Sequence, residues 1–99
     1  MDTSAWPFEQ PKNCAVISLR KIIFDGDPIL YVSHDADDHG WQFLGLEAVE
    51  PKNAVVVSLE EVVRIDESIL EVADLPVGWC AWRESKTAPW RRSEPELGR

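Results

Sequence analysis

PKNCAVISLRKII at residues 11–23 lies over PKNAVVVSLEEVV at residues 51–63 with a constant offset of 40. The register continues to Ile29/Ile69, Leu30/Leu70 and Val32/Val72. Each copy enters from a PKN turn, runs through a β-branched stretch and leaves through a serine that can cap a helical turn. Two similar strand-then-turn units are expected, either as a true repeat or as two uses of one strand-to-helix joint. Ala15 to Ile17 and Val55 to Val57 are continuous apolar runs, the pattern of strands covered on both faces. Ser58 with Glu61 makes a capping box, so a helix should start at residue 59 with Leu59, Val62 and Val63 at helical spacing. Ser18 repeats the cap without the glutamate, predicting a shorter helix around 19–23. Asp66 before Glu67-Ser68-Ile69 caps a second short helix that ends before Pro76, with Leu70 and Ala73 inward.

Between the copies, PILYVS at 28–33 and WQFL at 41–44 flank the turn-forming HDADDHG, a hairpin signature that puts Trp41 and Phe43 on one face. GWCAWR at 78–83 reads as the last strand, and the two Gly-Trp corners suggest tryptophans laid against backbone. The expected fold is α+β: a small, mainly antiparallel sheet of four to five strands with one or two short helices packed on one face. Its body runs over residues 12–84, after an N-terminal extension at 1–11 and before a polar tail at 85–99 that is loose beyond about Trp90.

A chain of 99 residues that is 44% hydrophobic supports a single core and leaves little room for a deep cleft. Acidic residues number 18 against 10 basic ones, giving a net charge of -8, which opposes nucleic acid and anionic membrane as partners and favours a basic protein. Residues 1–82 carry -10 and residues 83–99 carry +2. The longest strictly apolar runs are four residues, too short to span a membrane, and MDTSAWPFEQP has no secretory pattern, so the expected compartment is the cytoplasm. Cys14 and Cys80 stand apart in apolar stretches and read as buried reduced thiols.

Chemistry-bearing residue types cluster in His34-Asp35-Ala36-Asp37-Asp38-His39. His34, Asp35, Asp37 and His39 could ligate a divalent ion, though Leu46 stands where a calcium hand needs a carboxylate, and the plainer reading is a solvated hairpin tip. The carboxylates of 60–74 sit at first-turn positions favoured by the helix dipole, not as an acid–base pair. No serine lies in a GxSxG, and no glycine-rich phosphate loop occurs. We therefore expect no catalytic residues, no cofactor and no enzyme. Trp82 is three positions from Trp79, so one of the two looks away from the core: it is either an interface anchor with Trp6 or Trp90, or covered by a returning tail. Asp35, Asp37, Asp38 and Trp82 are the candidate partner-binding residues, and exposed sheet edges also allow a symmetric homodimer.

SLRKIIFDGDPILYVSHDADDHGWQFL, followed by PKNAVVVSLEEVVRIDESILEVADLPVGWCAWRES, resembles a bacterial family first catalogued as a domain of unknown function and later assigned to polymorphic-toxin immunity proteins. The likeness spans about residues 15–84 and rests on Ser18, Ile29, Gly40, Trp41, Phe43, Asn53, Ser58, Leu59, Asp66, Ile69, Leu70, Leu75, Pro76, Gly78 and Arg83. It implies an α+β binding domain that neutralises a cognate toxin, with no catalytic residues to carry over. Where the family usually has an arginine–glutamate pair before its acidic loop and a serine before the Gly-Trp, this chain has His34-Asp35 and His39, which implies a different partner if that loop is the contact.

Overall fold

The computed structural model describes residues 6–94. Six strands form one mixed sheet: β1 (Ala15–Leu19), β2 (Tyr31–His34), β3 (Trp41–Leu44), β4 (Ala54–Ser58), β5 (Cys80–Trp82) and β6 (Arg91–Ser93), in the order β4-β1-β3-β2-β5-β6. The protein is α+β, with one strand more than the sequence suggests and a parallel β1–β3 pair among otherwise antiparallel neighbours. Helix α1 (Arg20–Ile23), helix α2 (Leu59–Ile65) and two 3-10 helices, at Pro51–Asn53 and Glu67–Val72, complete it.

The two copies of the repeat meet directly. β1 and β4 pair antiparallel with Val16 opposite Val57 and Ile17 opposite Val56, about a local dyad between them. Each strand runs straight into a helix, but the caps differ. Ser58 Oγ accepts from the Glu61 N–H at 3.1 Å, as the capping box requires. Ser18 caps nothing: its hydroxyl donates to the Phe43 carbonyl at 2.8 Å inside the core, and Leu19 precedes α1 with no side-chain cap. The later identities also part company, since residues 29–32 lead into a strand and 69–72 lie in the 3-10 helix. The repeat is thus a shared strand-to-helix joint, with the sequence match outrunning the structural one.

Neither β1 nor β4 is covered on both faces. Val16, Ser18 and Leu19 are buried, whereas Ile17 is 38% exposed and Val56 69% exposed. The helices supply only one apolar layer, through Ile22, Leu59, Val62, Ile69 and Val72, packed on Val16, Val32, Trp41, Phe43 and Ala81. The core also reaches beyond 12–84. Phe8 is buried, Trp6 and Trp90 pack against the core, and β6 lies within the segment expected to be loose. The sequence readings for residues 1–5 and 95–99 fall outside the described residues. No helix among the described residues is long and apolar enough to cross a membrane.

One buried charge organises the far side of the core. Arg83 Nη2 meets Asp66 Oδ2 at 2.7 Å, its Nε donates to the Ile29 carbonyl, and its Nη1 donates to Ser68 Oγ and the Lys86 carbonyl. Trp90 stacks on the guanidinium at 4.1 Å and its indole N–H donates to the Ser68 carbonyl. Asp66 also accepts from the Ser68 N–H, so it starts the 3-10 helix and anchors the arginine at once.

Ser18, Ile29, Trp41, Phe43, Leu59, Asp66, Ile69, Leu75 and Arg83, singled out in the sequence, are all buried. The glycines have separate reasons. Gly78 has φ +91°, a left-handed geometry, while a Cβ on Gly40 would come within 2.9 Å of the Asp38 carboxylate that accepts the Gly40 N–H. The close approach at Gly40 is therefore to a side chain rather than to backbone.

Candidate functional surface on the open sheet face

A sheet with helices on one side leaves its other side to solvent or to a partner. Register fixes what lies there. Val56, Ile17, Gln42, Ser33, Cys80 and Ser93 stand opposite one another across all six strands, and Tyr31, Trp82 and Arg91 form a second row. The face is apolar at the β4–β1 end, through Val56 and Ile17, and aromatic and polar toward β5 and β6.

Asp35 ties the acidic hairpin tip to this face. Its carboxylate accepts from Ser33 Oγ at 2.9 Å and from Gln42 Nε2 at 2.7 Å, which fixes the start of the loop between β2 and β3. Asp37 and Asp38 are exposed beyond it, with Asp38 bracing Gly40 and His39 in a left-handed conformation at φ 59°. Asp37 and Asp38 are thus exposed to a partner, while Asp35 and the Asp38–Gly40 bond hold the loop in place.

The candidate metal ligands do not converge. His34 points to the helical side: its ring stacks on Trp41 with centroids 4.0 Å apart, and Nδ1 lies 2.7 Å from the Leu75 carbonyl. A carbonyl only accepts, so Nδ1 donates to it, and the buried Nε2 has no partner among the described residues. Asp35 faces the opposite side, and no three His, Cys, Asp or Glu side chains gather as a metal site among the described residues. The His34–Asp35–Asp37–His39 reading is corrected by strand alternation, which sends neighbours 34 and 35 apart.

Trp82 lies on the open face, as its spacing from Trp79 suggests, but it is half-buried because the tail returns: β6 pairs with β5, and the Arg91 guanidinium sits 5.3 Å from the Trp82 ring centroid. Trp6 and Trp90 do not join it. Trp6 bonds the Gln10 carbonyl and packs on Phe8, and Trp90 belongs to the Arg83 cluster. The cysteines, expected buried, are both half-exposed free thiols.

Sequence reading missed the neighbours of Trp82. Tyr31, Ser33, Asp35 and Cys80 line a shallow cavity of about 430 Å³ beside Trp79 and Glu94. Burial, a hydrogen bond to Cys80 and the charges of Cys80 and Asp35 push the Tyr31 phenol up to about 12 from 10.0. The period-2 alternation of residues 31–35 held the signal, because Tyr31, Ser33 and Asp35 share one side.

Tyr31 is the only tyrosine, so absorbance at 295 nm reads it directly. We expect a titration midpoint near 12, lowered more by Cys80→Ala than by Asp35→Asn, because burial and Cys80 outweigh the Asp35 charge. The raised value favours the neutral phenol in the folded state, so its contribution to stability is whole below about pH 10 and is lost as pH rises through 12. A folded protein titrating at 10 would contradict this placement.

No protein-family model matches the chain, and no curated protein or solved structure is significantly similar to it.

Proposed function

We propose that the chain is a small protein-binding domain that engages a basic partner through its open sheet face and acidic hairpin tip, in the manner of an immunity protein that neutralises a cognate toxin. The observation that carries the reading is the one-sided layering: the helices cover a single face, and Val56, Ile17, Tyr31 and Trp82 lie on the other beside Asp35. Aromatic and aliphatic side chains supply contact area there, while Asp37, Asp38 and the net charge of -8 steer a cationic protein toward it. The likeness to the immunity family supports the same reading by analogy, and in that role the chain would work in the bacterial cytoplasm. None of its residues is assigned a catalytic part.

The test is capture by the tagged protein from lysate of the source cells, at about 50 mM and about 500 mM salt. We expect a stoichiometric basic protein at low salt that falls away at high salt, since exposed charges are screened over about 10 Å at 0.1 M. Changing Asp35, Asp37 and Asp38 together to lysine should slow association at least about 10-fold. For a toxin, one equivalent of the wild-type chain should abolish its activity. A partner whose association ignores both salt and the lysine substitutions would overturn the reading.

A further inference from the structure

We propose that the free edge of β4 joins two copies of this chain through an antiparallel β4–β4 pair centred on Val56. This concerns the edge of the sheet, not its open face, and does not rest on the reading above.

The backbone of β4 shows which groups are available. The Leu59 N–H donates to the Cys14 carbonyl at 2.8 Å, so residues 14 and 59 form a hydrogen-bonded pair of the β1–β4 ladder. Antiparallel ladders alternate, so Val57 and Val55 turn their polar groups toward β1, while those of Val56, together with the Ser58 N–H and the Ala54 carbonyl, point away from the sheet. The Ala54 N–H already donates to the Pro51 carbonyl and the Ser58 carbonyl caps α2. What remains outward fits a dyad through Val56. Each Val56 N–H meets the other copy's Val56 carbonyl, and each Ser58 N–H meets the other's Ala54 carbonyl, making four bonds and using every group left open.

The two edges of the sheet differ. β6 has three residues and carries Arg91 and Arg92, the short, charged pattern that discourages strand addition. β4 has five, AVVVS, without a charge or a proline, and its central valine is 69% exposed. An antiparallel pair centred on Val56 also brings the end of β4 that follows Lys52 beside the other copy's end that leads into Glu60, so opposite charges flank the joint. Both are exposed, and Lys52 Nζ lies 3.7 Å from Glu50 Oε1. A chain of net charge -8 needs such a local match to approach itself.

The test is sedimentation of the full-length protein from about 10 µM to about 1 mM, with matched circular dichroism. Wild type should shift toward twice 11.2 kDa as concentration rises. Val56→Pro keeps the β1 ladder, because its N–H faces outward, and should raise the dimer dissociation constant at least about 100-fold with an unchanged fold. Val56→Lys should act alike if proline perturbs the strand. Lys52→Glu should weaken the dimer about 5-fold, and the exchange Lys52→Glu/Glu60→Lys should restore it, which a merely structural role for either residue would not do. A wild type that stays monomeric to 1 mM overturns the proposal, including one that instead takes up a foreign extended peptide. So does a dimer that survives both Val56 variants.

Discussion

Arg83→Ala should cost about 3–5 kcal/mol and lower Tm by about 15–30 °C, because it leaves the buried Asp66 carboxylate without its counter-charge. The guanidinium is 2% exposed and Asp66 8%, so water cannot replace the lost partner. The loss spreads through the local structure. The Ile29 carbonyl ahead of β2, the Lys86 carbonyl and the stacking surface of Trp90 all depend on the same side chain. Arg83→Lys keeps the charge but loses the planar fork, so it should fall between wild type and Arg83→Ala. Asp66→Ala should be similarly damaging, and the double Arg83→Met/Asp66→Ala should cost clearly less than the sum of the single changes. Thermal unfolding of the set measures this. Additive effects, or an Arg83→Ala Tm within a few degrees of wild type, would show that the pair does not bind this side of the core together.

Trp41→Ala should cost about 3–5 kcal/mol for a different reason, the cavity left by a large buried ring. Trp41 lies on β3, in the middle of the sheet, and touches three other rings: His34 stacked at 4.0 Å, Phe8 edge-on at 5.1 Å and Phe43 at 6.0 Å. Its indole N–H donates to Gln10 Oε1 at 3.0 Å, so it also holds the N-terminal segment on the sheet. Trp41→Phe should recover most of the stability but not the Gln10 bond. Limited proteolysis between residues 6 and 13 should then be faster in both variants, more so in the alanine. By contrast, Val56→Ala on the exposed face should change stability by less than about 0.5 kcal/mol. The contrast follows from burial alone.

Local chemistry in the sequence was enough for the elements whose signals are local. The Ser58–Glu61 box placed α2, Asp66 placed the 3-10 helix, and alternation about HDADDHG placed the β2–β3 hairpin. What it misread depends on tertiary choices. Ser18 looks identical to Ser58 along the chain, yet the neighbouring β3 offers the Phe43 carbonyl and takes its hydroxyl. An apolar run such as AVVVS does not reveal that it ends at an edge with one bare face, since no local signal tells whether helices cover it. Arg91-Arg92-Ser93 has no strand propensity to speak of, and pairs because β5 presents an open edge to it. For the candidate surface, Asp35 and Trp82 were legible while Tyr31 and Cys80 were not. Their meeting depends on the β2–β5 register, which brings residue 31 opposite 82 and residue 33 opposite 80 across a separation of about fifty residues.

The central claim is that a partner sits on the open face, and side-chain footprinting of the complex with the captured partner tests it most directly. Hydroxyl-radical labelling, free and bound, would be read at Tyr31, Trp82 and Ile17 on the open face and at Val63 and Leu70 on the helical side. We predict that Tyr31, Trp82 and Ile17 lose reactivity on binding while Val63 and Leu70 keep theirs. Protection confined to Val63 and Leu70, with the open face as reactive as in the free protein, would contradict the account.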